Sequence, residues 1–307
     1  MSNYIIRRLL QAIPVLIGIS VFTFLMVHLT PGDPVELFAG DKPISEAQIT
    51  QIRHQYGLDK PLWEQYTDYL VGVLHGDLGS GLHSKRPVID TVREALWPTI
   101  QLACAGLVVA VVLGVSLGIV AALFHNSWID TLAMVIALLG VSVPVFYLGL
   151  LALFLLSFRF HIFPATGTGD LRHLILPAFV VGFASAAYIA RLVRSSMLET
   201  LRQDYVTTAR AKGLRERSVV TRHALRNALI PAVTYMGLQF AGLLGGAIVT
   251  EQIFSRPGLG RVAITAINNR DYPLIQGTVL ITAVIYVLVN LLIDLSYAVF
   301  DPRIRYA

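Results

Sequence analysis

Runs of predominantly apolar residues divide this chain into segments that each reach the length needed to cross a bilayer. They lie at residues 9–29, 100–124, 132–158, 174–193, 229–250 and 274–299. A hydrocarbon core about 30 Å thick takes about 20 residues of helix. Lipid offers no partner to a backbone amide, so each run must satisfy its hydrogen bonds internally. The short alternating strands of a membrane barrel are missing, which leaves helices. Charged residues make up only 14% of the chain, against about 25% in soluble domains. The expectation is an all-α polytopic membrane protein with six transmembrane helices.

Arg7 and Arg8 precede the first run as they would precede a secretory signal. That run is longer than the about 7–15 residues of a signal core, and TPGDP follows it without a small-x-small cleavage pattern. It reads as a retained first helix. Orientation follows from Lys and Arg in short loops. The 194–228 loop carries Arg194, Arg202, Arg210, Lys212, Arg215, Arg217, Arg222 and Arg226, whereas the opposite loops carry Arg159 and Arg172, then Arg256, Arg261 and Arg270. Both termini and the basic loop are therefore expected in the cytoplasm. The net charge of +5 reflects this bias, so no nucleic-acid partner is expected. Cys104 is the single cysteine, which excludes an intrachain disulfide and a cysteine metal cluster. No cofactor is expected.

Two regions follow: residues 1–94, with the first membrane helix and an extracytoplasmic helical segment, and a core from 95 to 307. In the extracytoplasmic segment Ser45 and Gln48 fit a capping box, with Gly57 closing that helix. Pro61 suits the first turn of a second helix, ending near Gly76, with Leu62, Tyr66, Tyr69, Leu70 and Val73 on one face. So small a cap cannot bury a strong core and should lean on the membrane helices. Gly114/Gly118 and Gly242/Gly246 have the GxxxG spacing that lets helices approach closely, and packing is the expected role of both pairs.

The loop is the most informative stretch. Residues 204–231 read DYVTTARAKGLRERSVVTRHALRNALIP. A glycine kept inside a helix costs about 1 kcal/mol relative to alanine, so Gly213 is better used as a break between two short helices. The result is an exposed basic corner. Basic cytoplasmic loops are common and can simply meet anionic headgroups, but the glycine-centred pattern points to a partner groove.

This segment resembles the EAA loop of ATP-binding-cassette (ABC) importer permeases, E-A-A-x-x-x-G-x9-I-x-L-P. Ala209 and Gly213 match it; Thr207 and Thr208 stand for its first two residues, and His223-Ala224-Leu225-Arg226 for its last four. The variant form is similar to that of the peptide, glutathione and nickel branch. HLTPGDP (28–34), YGLDKPL (56–62), HGDLG (75–79), TEQIFSRPGLG (250–260), NRDYPLIQG (269–277) and DPRIRY (301–306) agree with that branch in order and placement. The resemblance covers essentially the whole chain.

It implies the ABC importer permease fold, a bacterial or archaeal cytoplasmic membrane, and import of di- or oligopeptides, with glutathione or a nickel chelate as variants. It further implies a second homologous permease, two ATPase subunits and an extracytoplasmic solute-binding protein. Asp204, Tyr205, Ala209, Arg210, Ala211, Lys212, Gly213, Leu214, His223, Arg226 and Asn227 become the ATPase-coupling residues. Glu251, Arg256, Arg261, Arg270 and Asp271 are candidates for ion pairs with the binding protein, or else solvated loop charges. Thr234, Tyr235, Gln239 and Asn290 can line a translocation path or bond between helices; the two readings stay open.

No G-x-x-x-x-G-K-[ST] loop occurs, so ATP hydrolysis is expected on separate subunits and the chain is not expected to be an enzyme. Gly114–Gly118 spells G-x-S-x-G, but a nucleophile elbow needs a strand–turn–helix setting. An ion-gradient-driven transporter is the alternative; it would call for several central carboxylates, histidines or broken helices, and the sequence offers few of these. Asp294 in the last run is the clearest ionisable residue, and it is expected to reach the interface or cap a neighbouring helix.

Overall fold

The computed structural model describes residues 2–29, 45–55 and 57–300. The HLTPGDP motif beyond Leu29, Tyr56 and the terminal DPRIRY lie outside the described residues. In chain order the helices are α1 (Ser2–Leu29), α2 (Glu46–Gln55), α3 (Leu62–Leu74) and α4 (Val88–Leu123). Then come α5 (Trp128–Ser142), α6 (Val145–Ala152, prolonged as a π-turn over Leu153–Arg159) and α7 (Arg172–Leu201). The series ends with α8 (Asp204–Ala211), α9 (Glu216–Ala228, with a π-turn over Val219–Ala224), α10 (Ile230–Ile253), α11 (Leu259–Asn268) and α12 (Tyr272–Phe300). Among the described residues the only sheet-like pairing is a bridge between Ser80 and Pro87.

Four of these helices are long and apolar enough to cross a membrane, or six segments if the bent pairs α5–α6 and α9–α10 each count once. The run at 132–158 is therefore not the straight helix its composition suggested. α5 and α6 meet at 104°. The cause is Pro144, which cannot continue a helix and drives its predecessor out of the α region: Val143 is extended, with φ −89° and ψ 123°. α4 corrects a second boundary, since it begins at Val88 rather than near residue 100.

The described residues divide between two compact units, one of residues up to 97 with 257–292, the other of 98–256 with the end of α12. The stretch 257–292 thus packs with the N-terminal part of the chain. In that first unit the capping box is present: the Gln48 amide N–H reaches Ser45 Oγ at 3.4 Å, and the Ser45 N–H reaches Gln48 Oε1 at 3.2 Å. Pro61 precedes α3, which ends at His75–Gly76. α3 leans on α1 as expected, through Tyr66 OH to Ser20 Oγ (3.0 Å) and Gln65 Oε1 to His28 Nε2 (3.0 Å). Its Leu62 stays exposed, so the apolar face is narrower than the sequence suggested. Beneath, Leu78, Val88, Val92, Leu259, Leu274 and Leu280 form the core.

The second unit is built on close backbone approach. A Cβ added at Gly114 would lie 2.6 Å from Ile189 Cβ, and one at Gly118 would lie 2.7 Å from both Val193 Cβ and the Ala190 carbonyl. Gly182 on α7 meets the Gly106 carbonyl in the same way, and Gly140 on α5 meets that of Phe183. Helices in lipid gain little from hydrophobic burial against each other, so van der Waals contact at such seams supplies much of their adhesion. The first GxxxG pair is packing, as expected. Gly242 differs, because a Cβ there meets nothing within 4 Å. Buried Ile189, Val193 and Met197 on α7 then receive Val220, Ala224 and Ala228 from α9.

An ion pair adds a polar tie. The Arg194 guanidinium on α7 donates from Nε and Nη2 to the two Asp130 oxygens, each at 2.7 Å. The Asp130 side chain is only 7% exposed, that of Arg194 27%, and His125 Nδ1 lies 3.3 Å from the carboxylate. Ser127 caps α5, which holds Asp130 in the first turn.

Gly118→Leu should lower the unfolding temperature of the detergent-solubilised protein, since forced overpacking costs about 1–3 kcal/mol; Gly242→Ala, which meets no neighbour in this chain, should leave it unchanged. Asp130→Ala should cost about 1.5–3 kcal/mol through the lost charge-assisted bonds. Adding Arg194→Ala should then cost little more, a non-additivity that a double-mutant melt reads directly.

Candidate functional site

The corner around Gly213 is assembled from its two flanking helices. α8 is amphipathic: Val206 and Ala209 turn inward and bury against Val219 and Leu201, while Asp204, Tyr205, Arg210, Ala211 and Lys212 face outward. Gly213 has φ +78°. Its N–H bonds the Arg210 carbonyl at 2.9 Å and the Leu214 N–H reaches that of Ala209 at 3.4 Å. These two bonds form a Schellman motif, which satisfies carbonyls left open at the helix end and requires a left-handed residue. A Cβ at Gly213 would meet nothing within 4 Å, so the glycine is there for its backbone angle and its tip is bare.

Across the turn, Arg210 grips Glu216 by two bonds, Nε to Oε2 at 3.2 Å and Nη2 to Oε1 at 2.8 Å. The guanidinium holds the Glu216 carboxyl below its ordinary range. Both side chains are exposed, so the pair contributes at most about 1 kcal/mol and mainly sets the angle of the corner. Asn227 Nδ2 donates to Tyr205 OH at 2.8 Å, tying the start of α8 to the end of α9. Tyr205 and Leu214 are 43% and 42% exposed, which leaves apolar surface among the charges. His223 is half-buried and Arg226 exposed. Of the residues read as coupling contacts, Ala209 alone is buried, and it packs rather than presents itself.

The path candidates separate. Gln239 Nε2 donates to Ser185 Oγ at 2.7 Å, a bond between α10 and α7. Tyr235 lies 6.1 Å from the Tyr188 ring, over which Arg191 sits at 5.0 Å. Thr234 is exposed and its hydroxyl donates to the Ile230 carbonyl of its own helix at 3.3 Å. Asn290 likewise bonds within α12, to the Tyr286 carbonyl at 2.9 Å. Asp294 is half-buried in the same helix.

The charges expected at a wet outer contact need correction. Glu251 is fully buried and accepts from Thr99 Oγ1 at 2.5 Å. Arg256 is 2% exposed, with Nη1 donating to the His173 carbonyl at 3.3 Å. Burial pulls the Arg256 guanidinium below its ordinary pKa while the Glu251 charge opposes that shift. Asp271 is also 2% exposed and accepts from the Leu274 N–H at 3.3 Å, capping α12. These three turn inward: Glu251 onto Thr99 of α4, Arg256 onto the start of α7, and Asp271 onto the first turn of α12. Arg261 remains exposed and Arg270 is half-buried. Asp130 and His125 were missed by the sequence reading; the signal was a lone acidic residue three positions after a capping serine at the edge of an apolar run. Among the described residues no group of three or more metal-ligating side chains comes together.

The model of the family "Binding-protein-dependent transport system inner membrane component" matches residues 114–306, and that of its N-terminal region matches residues 1–103. The chain is similar to the glutathione transport system permease protein GsiC of Escherichia coli O6:H1, 46% identical over 307 residues and 100% of both chains. The GsiC of Pectobacterium atrosepticum is also 46% identical, over 306 residues and 100% of both. Among solved structures, an inward-facing MetNI methionine ABC transporter chain superposes with a TM-score of 0.59 at 19% identity, covering 69% of this chain and 97% of that one. A chain of an amino acid ABC transporter gives 0.53 at 18%, covering 70% and 95%. The helical architecture and the full-length likeness agree, and the chain belongs to the binding-protein-dependent transport system inner membrane components, as an ABC importer permease of the peptide and glutathione branch.

Proposed function

We propose that this permease imports small peptides, with glutathione or a similarly short peptide as its first candidate, and that the α8–Gly213–α9 corner is where ATP hydrolysis drives it. The substrate rests on the GsiC relatives, which are named for glutathione transport. The observation that carries the coupling role is the corner itself: a bare glycine tip, an ion-paired turn and exposed Tyr205 and Leu214, backed by a buried apolar face on the rest of the unit.

In this reading the 194–228 loop and both termini face the cytoplasm, in accord with the Lys and Arg bias. A second homologous permease completes the path, two ATPase subunits each receive one corner, and an extracytoplasmic binding protein delivers the peptide. Closure of the ATPases pushes the corner. The buried seam of Val193, Met197, Val220 and Ala224 passes that displacement to α7. The Asp130–Arg194 pair passes it on to α5. A secondary transporter would use an ion gradient instead, and the branch to which the chain belongs removes that alternative.

Substitutions at Gly213 should grade with tolerance for a left-handed backbone, not with side-chain size. Gly213→Asn should keep most uptake, since Asn enters that region readily. Gly213→Val should lose more. Gly213→Pro, which removes the N–H bonded to Arg210 and fixes φ near −65°, should abolish uptake at normal membrane abundance. Labelled-glutathione uptake measured beside quantified abundance reads this series, and normal transport by the proline variant would end the coupling assignment. Reconstituted with its partner subunits and binding protein, the permease should accumulate glutathione only with ATP inside. Accumulation driven by a proton or sodium gradient alone would contradict the mechanism.

A further inference from the structure

We propose that a groove between α1 and the α11–α12 corner holds one phospholipid, with an acyl chain along the groove and the phosphodiester on Arg270. The groove has a volume of about 630 Å³, within the range of about 300–1,000 Å³ typical of ligand sites. Gly18, Phe22 and Met26 of α1 line one wall and Ile267, Ile275 and Val279 the other. α1 is a candidate membrane span, and its Ile17, Phe22 and Met26 are at least half exposed. The groove therefore lies where acyl chains are the surrounding solvent.

The lining includes one charged residue. Arg270 is half-buried in the groove wall, and among the described residues no carboxylate pairs with its guanidinium. It also stands where the backbone prefers glycine. Its φ is 49°, and the turn is closed by Arg270 N–H to the Ile267 carbonyl (3.1 Å) and Asp271 N–H to that of Ala266 (2.9 Å). An L-residue is strained at this position and glycine is not. The outlier points to a use for the side chain. A half-buried cation at the interface end of an apolar groove is stabilised by a counter-charge, and a phosphodiester supplies it through short charge-assisted bonds. The C-terminal dipole of α11 favours a cation here too, but it leaves the groove empty. A transmembrane helix from another subunit would have to bring a carboxylate to this same position, whereas a phospholipid carries the counter-charge and the apolar chain in one molecule, so the charge favours lipid.

The test uses the assembled transporter, exchanged into detergent with either phosphatidylglycerol or uncharged diacylglycerol and weighed by native mass spectrometry. Arg270→Gly removes the cation while relaxing the turn, so the variant should melt no lower than wild type. Gly18→Leu fills the groove from a position where a Cβ meets nothing within 4 Å. Wild type should retain one more phosphatidylglycerol per copy of this chain than either variant. Arg270→Gly should weaken that retention roughly tenfold, the value of one charged hydrogen bond, and leave diacylglycerol unaffected. Gly18→Leu should reduce both. Equal phosphatidylglycerol retention in all three proteins overturns the site. So does a crosslink in native membranes from Gly18→Cys to a neighbouring subunit, which would place protein in the groove.

Discussion

Close contact between α4 and α7 is the constraint on which the second unit of this permease rests. Two helices immersed in lipid have no water to escape from, so they adhere only as far as their surfaces fit. Gly114 and Gly118 strip the side chains from one surface, and Gly182 strips them from the other, until backbone meets backbone. That fit places α7, and α7 carries everything that follows. Its buried Val193 and Met197 receive the apolar side of α9, and its Arg194 closes on Asp130. Without a rigid α7 the corner beyond Leu201 would have no fixed base.

The corner shows a division of labour along a few residues. Val206, Ala209 and Val219 are buried and hold the two short helices to each other. The outward residues carry charge and some apolar area, which suits reversible seating in another protein. Between them lies a turn whose shape depends on one backbone angle at Gly213 and is braced by an exposed ion pair. A brace of that strength adds little to stability, but it narrows the range of directions in which the tip points.

The large features were readable in the order of the residues because they follow from simple physics. Apolar length located the membrane segments, the glycine between charged stretches located the corner, and Ser45 with Gln48 located a helix start. Family resemblance did the rest for the class of transporter. What the sequence could not convey was whether a charged residue points outward. Glu251, Arg256 and Asp271 look like loop charges in one dimension, yet each folds back against its own unit. Pro144 was visible in the third run, but the size of the bend depends on what α6 meets after leaving α5. Asp130 escaped notice because its partner lies 64 positions away.

The π-turn over Val219–Ala224 has a mechanical corollary. A π-turn accommodates one residue more than an α-turn of the same pitch. Should that surplus residue be expelled, the segment from Leu225 onward would swivel by about 100° and shift by about 1.5 Å along its axis. The residues that would swing are Arg226 and Asn227, and with Asn227 the tether to Tyr205. A stroke of that size needs no unfolding and no hinge, only the transfer of slack along a single helix.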